Sequence, residues 1–423
     1  DARYLRRLQI ADFRARQILA ELSGLQVINT NRQHTEKLIF KGERDVSNDL
    51  VYTDLHTLFP GYQFDRFSPA KDKSTYKGES VGEGGLVRAT PGMYENVALL
   101  DVASMHPTSI IELNLFGKYT ENFKELMDVR LLIKQAKGLH KHGHTEQAQE
   151  KLKEAGQMFE GRLTPYVQDI EEAAMLSDAL KIVINSVYGL TAASFPNLFR
   201  DPANVDNIVA KRGAFFMMDL KEYIKGEGYE VVHIKTDSVK ITNITPEIIE
   251  KVQFFGEQYG YTFEHECTYE KFCLVNDAVY VAKVGWAEKE SRIGKWEATG
   301  AQFQHPVVFK SLFSQEEIVA SDYVETKQVA KGAMYLCNEE SGHKQFVGRF
   351  GAFVPVLSGR ILLRIDGDRE VSVTGTKDFR WELDYVVLND SDFVVDMEYF
   401  QTLIDEGIRA IEKYGSYAEF TSA

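Results

Sequence analysis

The chain has 423 residues, 44% of them hydrophobic, and a formal net charge of −14. That length leaves room for two to four domains, and no apolar run reaches the roughly 18 residues that a membrane-spanning helix needs. The acidity argues against a protein that coats nucleic acid non-specifically, but not against an enzyme with a basic channel inside an acidic shell. In chain order, residues 1–22 read as an arginine-rich helix with Leu5, Leu8, Phe13, Ile18 and Leu22 at its apolar positions. Gly78, Gly82, Gly84 and Gly85 punctuate the next stretch, and Val97 to Asp101 reads as a strand. Asn122 to Met158 has helical periodicity, broken by the polar turn Lys141-His142-Gly143-His144. A second helix is predicted from Pro165, a favoured first-turn residue, to Tyr188, with Gly189 as its C-terminal stop. A helix near 204–225 follows, then two short strands, 230–235 and 238–242, meeting at Thr236-Asp237. Beyond Gly285 the pattern turns to alternating segments, 345–356 and 360–365, ahead of a final helix near 397–414. That tail is the candidate separate domain.

The sequence opens on Asp1 with no signal-peptide pattern, which reads as a fragment or processed product with nothing pointing to export. Cys267, Cys273 and Cys337 form no C-x-x-C pair and have no histidine at ligand spacing, so they read as reduced, buried thiols. His140, His142 and His144 alternate across a cationic turn and read as solvated surface residues, not zinc ligands. Gly82, Gly84 and Gly85 lack the third spaced glycine of a dinucleotide loop.

Four constellations carry chemistry. In Asp101-Val-Ala-Ser104-Met-His106-Pro107 an apolar strand delivers a carboxylate at its end, where it can hold a hard cation. Taken alone, Asp101 reads equally well as a helix cap. In Val231-Val-His-Ile-Lys-Thr236-Asp237-Ser238 two apolar arms flank a polar tip, so Asp237 can face a second strand-end carboxylate and share metal ions with it. An ordinary Thr-Asp turn is the commoner meaning of that dipeptide. In Lys181-Ile-Val-Ile-Asn185-Ser-Val-Tyr188-Gly189 the i, i+4, i+7 spacing puts a cation, an amide and a ring on one helical face. That combination suits phosphate, groove edge and base, where a purely structural helix would place Leu or Ala. Arg130 and Lys134, also i, i+4, would complete a three-cation clamp with Lys181; alone, the pair reads as a solvated charged face.

In this order the four constellations resemble the polymerase core of family B DNA polymerases. Asp101 to Ile111 is similar to the D-x-x-S-L-Y-P-S-I-I motif, Lys181 to Gly189 to K-x-x-x-N-S-x-Y-G, and His233 to Ser238 to Y-x-D-T-D-S. Met127 to Lys134 looks like the fingers helix, and Gly82 to Val87 like the upstream Y-x-G-G box. The resemblance covers most of residues 80–300, and the Lys181–Gly189 match is its most specific part. It implies an α+β right-hand fold: an N-terminal segment (1–79), a palm of antiparallel sheet (80–117 and 190–290), helical fingers (118–189) and a mixed thumb (291–423). It further implies DNA-directed DNA synthesis, with Asp101 and Asp237 catalytic. Two Mg²⁺ ions, for which Mn²⁺ would substitute, would be held by Asp101, the Val102 carbonyl and Asp237. Arg130, Lys134 and Lys181 would bind the triphosphate. Ser104, Met105 and His106 would line the nucleotide pocket, with Asn185 and Tyr188 at the nascent base pair. Gly84, Gly85, Gly189, Tyr280, Thr299 and Gly300 would meet the DNA. Primer–template DNA and deoxynucleoside triphosphates would be the partners, in the cytoplasm, or the host's cytoplasm for a phage-like enzyme.

Several residues depart from the pattern. His106 stands where the family has the tyrosine that excludes ribonucleotides, so sugar selection is expected to be weakened. Lys235 replaces the first Asp of the third motif, Gly82 takes the place of the box tyrosine, and Asp277-Ala-Val-Tyr280 keeps only the tyrosine of a K-K-R-Y box. Thr299-Gly300, after Lys295-Trp296, is similar to a T-G element at the start of the thumb, where a plain turn is the competing reading. The D-x-E strings, such as Asp169–Glu171, fall after the first motif, so a proofreading exonuclease is expected to be cut away or supplied by another chain. The short fingers favour an ordinary nucleic-acid primer. Two rivals stand beside this reading: a polymerase-derived, catalytically inactive DNA-binding subunit, which Lys235 supports, and an RNA-templated polymerase, which template swapping would separate.

Overall fold

The computed structural model describes residues 2–45, 54–200, 206–389 and 392–422, with side chains described from Phe13 onward. Within them the chain mixes helices with three antiparallel sheets, of three, seven and six strands. The fold is α+β. The seven-stranded sheet runs Trp296–Thr299, Val279–Ala287, Phe263–Asn276, Gly92–Val102, Ser238–Ile241, Val231–Lys235, Val87–Ala89. Its central strand, Gly92–Val102, explains the layering. Because side chains alternate along a strand, Ala98, Leu100 and Val102 face the large helical core, while Val97 and Leu99 face a smaller cluster with Tyr269, Phe272 and Leu274. Asp101 shares the parity of Val97 and Leu99, so the fold puts it on the side away from that helical core.

The helices Met105–Glu112, Ile208–Gly226 and Pro246–Glu257 each give buried residues to the larger core. The last starts where expected for a Thr-Pro pair: Thr245 caps the Ile248 N–H and Pro246 takes the first turn. Helix Thr120–Lys141 buries Phe123, Leu126, Val129, Ile133 and Ala136, a spacing of three and four, and helix Thr145–Gln157 follows the polar turn.

The predicted helix from Pro165 to Tyr188 needs two corrections. It spans Ile170–Thr191: the Asp169 carboxylate accepts from the Glu171 and Glu172 N–H groups and outcompetes Pro165, which sits in a separate 3₁₀ turn. Gly189 does not stop it, because Thr191 is buried one half-turn further on and its hydroxyl donates to the Tyr188 carbonyl at 2.7 Å. By length and composition this helix is apolar enough to cross a bilayer, contrary to the reading of the sequence. Here its Leu176, Leu180, Val183 and Val187 stripe is fully buried in the protein core.

The N-terminal helix spans Ala2–Ser23, and the helix expected near 204–225 is Ile208–Gly226, residues 204 and 205 lying outside the described ones. In the six-stranded sheet the expected segments 345–356 and 360–365 are divided differently. Lys344–Gly348 is one strand, and Phe350–Asp366 is a single long strand carrying Pro355 at a register break, one of the places in a sheet where proline is found. Trp381, Tyr399 and Phe400 fill the core beneath it.

Candidate active site

Asp101 lies at the end of the central strand, opposite Ser238 on one neighbouring strand and Glu264 on the other. The two strands 231–235 and 238–241 turn at Thr236-Asp237, and the tip is tied down on both sides. The Val102 N–H donates to the Asp237 carbonyl at 2.8 Å, and the Thr236 N–H donates to the Leu86 carbonyl at 2.8 Å. Thr236 has φ +55°, a left-handed conformation that costs a β-branched residue on the order of 1–3 kcal/mol and marks a site held in place by its surroundings. Gly85 (φ +105°) allows the close approach: a Cβ there would stand 3.2 Å from Thr236 Cγ2. The glycine box and the aspartate hairpin are thus one unit. Gly84 has open space around it.

Electrostatics mark Asp101. Burial, then the charges of Asp237, Glu266 and Glu264, push its carboxyl up to about 7, against a smaller opposing pull from Lys240. Four carboxylates therefore share one neighbourhood at the strand ends. A pair of carboxylates such as Asp101 and Asp237 offers the hard oxygen donors of which Mg²⁺ commonly takes one or two from the protein beside substrate phosphates. Among the described residues no three His, Cys, Asp or Glu side chains close into a metal cage by themselves. Asp101 and Asp237 with the substrate would have to complete the coordination.

The next residues turn into helix Met105–Glu112, with Ser104 in the left-handed region as its cap (φ +57°). The Met105 side chain is buried and faces Gly213, where a Cβ would stand 2.6 Å from its sulfur, so it packs into the core and does not line an open pocket. His106 stacks on Tyr188 with ring centroids 3.9 Å apart and planes 9° apart. Its Nδ1 is buried without a hydrogen-bond partner. Burial lowers its pKa against the opposing pull of Asp237, which favours the neutral ring. Asn207 ties this stack to the glycine box, its Nδ2 donating at 3.2 Å both to the Tyr188 hydroxyl and to the Glu83 carbonyl.

The cations are placed unevenly. Arg130 is half-buried and its Nε has no partner. Lys134 instead reaches across to Glu264, Nζ to Oε1 2.6 Å. Lys181 and Asn185 are exposed on their helix, and Gly189 lies on it with open space where a side chain would be. Tyr280, Thr299 and Gly300 form a separate group: Thr299 is the register partner of Tyr280, and Gly300 (φ +93°) packs so closely that a Cβ would stand 2.7 Å from Val279 Cγ2. The Tyr280 ring lies over the buried Lys240 ammonium, 4.9 Å from Nζ to centroid. Lys240 in turn sits 3.2 Å from His233 Nδ1; burial lowers its pKa to about 8 and lowers that of His233 to about 4.

Glu264, Glu266, Asn207 and Lys240 escaped the reading of the sequence. No spacing signal marks them, since each reaches the site through cross-strand register or from a distant helix start.

No protein-family model matches the sequence, and no curated protein does. Among solved structures, the chain is similar to the family B DNA polymerase from the hyperthermophilic archaeon Pyrobaculum calidifontis, with a TM-score of 0.46 and 16% identity. The match covers 95% of this chain and 54% of that one, so the chain spans about half the length of that polymerase.

Proposed function

We propose that this chain extends a primer 3′ end with deoxynucleotides on a DNA template. The observation that carries the reading is the approach of two carboxylates. Asp101 ends the central strand, and Asp237 lies in the hairpin turn just before the Asp101 register partner Ser238. Asp237 is fastened by the Val102–Asp237 backbone bond and lies close enough to raise the Asp101 pKa. The ordered motif resemblance supports the same reading. In this view the seven-stranded sheet is the palm, the helices between residues 118 and 189 are the fingers, and the six-stranded sheet belongs to the thumb.

Asp101 and Asp237 would hold Mg²⁺, with the Val102 carbonyl as a further oxygen. The ions would lower the pKa of the primer hydroxyl and stabilise the departing pyrophosphate. The residues of the chain do the positioning. Arg130, Lys134 and Lys181 bind the triphosphate, and Lys134 leaves Glu264 to do so. The neutral His106 ring, held flat against Tyr188, presents a stacked aromatic wall to sugar and base. Asn207 keeps that wall in register with the glycine box, which faces the template.

A binding-only role is the second reading, and one observation favours it: this chain has Lys235 where the resembled motif has its first aspartate. Primer extension with Mg²⁺ and the four deoxynucleotides, comparing wild type with Asp237→Asn, separates the two. Extension by wild type alone supports synthesis. Absence of extension with primer–template still bound would overturn it in favour of the binding subunit.

A further inference from the structure

One end of the six-stranded sheet carries an exposed apolar face that the active site does not use. On the long strand Phe350–Asp366, Val356 pairs with Val395, and the Leu357 N–H donates to the Val394 carbonyl at 3.0 Å. Leu357 and Val394 therefore stand opposite one another on the same face, 65% and 56% exposed, while Val356 is fully buried. Met397, the first residue of helix Met397–Glu412, is exposed three positions after Val394. The short helix Asp384–Asn389 follows Leu383, which pairs with Phe353 on the same long strand. It turns Val386 into the core and leaves Tyr385 and Leu388, three residues apart, in water. Single exposed apolar residues are ordinary, but five around one strand segment mark a recognition surface.

The charge around this face has one sign. From Trp381 to Ile408 the sequence holds no lysine, arginine or histidine, and Asp384, Asp392, Asp396 and Glu398 stand among the apolar residues. Asp384 and Glu398 form no ion pair among the described residues. Two arginines border the stretch and both are already taken, Arg360 by Glu382 at 2.5 Å and Arg380 by Glu339 at 2.6 Å. Such a rim repels phosphate-bearing partners, DNA and anionic lipid alike. A helix with lysine or arginine beside an apolar stripe answers both features. Its stripe, recurring every three or four residues, covers the five side chains, and its cations meet the acids.

We propose that this face docks a cationic amphipathic helix of a partner protein, with Leu357, Val394, Met397, Tyr385 and Leu388 as its apolar floor and Asp384 and Glu398 on its cations. The assignment does not depend on the synthesis reading. A second copy of the chain would have to offer its own arginine-rich helix, Ala2–Ser23, as the occupant. That helix already buries Ala15, Ile18, Leu19 and Leu22 in its own core, so its apolar stripe is spent.

The test is fluorescence anisotropy of a labelled leucine–lysine peptide of about 18 residues, with leucine at helical spacing, titrated with the full chain at ~0.1 M salt. Wild type should bind it at least ~10-fold more tightly than a scrambled peptide of the same composition. Leu357→Ser/Val394→Ser should lose at least ~10-fold. Asp384→Lys/Glu398→Lys should lose as much and acquire binding to the matching leucine–glutamate peptide, which wild type does not bind. Phe254→Ser, at an exposed apolar residue on helix Pro246–Glu257, should change nothing. All the substituted side chains are solvent-facing, and unchanged thermal melts would tie each loss to docking. Equal binding of the amphipathic and scrambled peptides would overturn the assignment, leaving only general attraction to an acidic chain. Full binding by Leu357→Ser/Val394→Ser, or no response to the charge swap, would overturn it too. So would self-association of wild type in sedimentation velocity that Leu357→Ser/Val394→Ser abolishes, which would give the face to a second copy.

Discussion

Asp101→Asn separates the cost of the acidic cluster from its use. Burial and the charges of Asp237, Glu266 and Glu264 raise the Asp101 carboxyl from an ordinary 3.8 to about 7. At about 1.4 kcal/mol per tenfold change in proton affinity, that rise corresponds to about 4 kcal/mol; relaxation of a half-buried site brings the expected effect nearer ~2 kcal/mol. The sign follows from proton binding. Below pH 3.8 Asp101 is protonated folded and unfolded, so it contributes nothing. Between about 4 and 7 the unfolded chain ionises while the folded one resists, so the folded state loses stability as pH rises, and the penalty is complete above about 7. Asparagine carries no charge at any pH. Urea unfolding in EDTA should therefore give equal stabilities for wild type and variant near pH 4, and a variant more stable by ~2 kcal/mol at pH 8. Mg²⁺ should stabilise wild type at pH 8 and do much less for the variant, because it neutralises what the substitution removes. A stability difference independent of pH, or a variant less stable at pH 8, would refute the electrostatic account of this site.

Glu264→Gln should release Lys134 for the triphosphate. An exposed ion pair is worth about 0–1 kcal/mol, so the nucleotide KM should fall by up to ~5-fold, and an unchanged or raised KM would remove Lys134 from the clamp. His106→Tyr should tighten rejection of ribonucleotides in single-nucleotide incorporation assays; unchanged ribonucleotide use would show that the ring stacked on Tyr188 does not face the sugar. Lys240→Met replaces a buried amine whose pKa has dropped to about 8. The wild type should gain stability between about pH 8 and 10.5, where the unfolded chain still binds the proton and the folded one does not, and the variant should lose that gain in thermal melts. Gly300→Ala meets a positive φ and a 2.7 Å contact with Val279, so it should cost about 1–3 kcal/mol in urea titrations.

How much of this was legible depends on where each signal lives. Strand-end Asp101 and the Thr236-Asp237 tip follow from local alternation, and the three-and-four spacing placed Arg130, Lys134, Lys181, Asn185 and Tyr188 on helices. Helix starts were harder: Pro165 reads as a first-turn signal, but the Asp169 carboxylate caps two N–H groups at once and sets the start. The sequence divides Phe350–Asp366 at residues 357–359, whereas the strand runs on through the register shift between Pro355 and Arg360. Register was not legible at all. That Glu264 stands opposite Asp101, or Lys240 opposite Leu99, depends on pairing between segments more than a hundred residues apart.

Register also changes the meaning of Lys235. In the hairpin alone, a lysine in place of the first motif aspartate removes a carboxylate from the site. Across the sheet, the strand Phe263–Asn276 supplies Glu264 opposite Asp101 and Glu266 close enough to raise its pKa. The acidic charge of the neighbourhood is therefore carried in part by a different strand. The lysines are arranged against it: Lys134 is paired with Glu264, and Lys240 is buried where Asp101 and Glu266 partly offset its desolvation. Lys235, exposed at the hairpin, opposes protonation of both Lys240 and His233. A lysine in the hairpin therefore does not leave the neighbourhood neutral, and on electrostatic grounds Lys235 alone is weak support for an inactive chain. Lys235→Asp would add a further negative charge beside Asp237, so the cation requirement of the site should rise with the change.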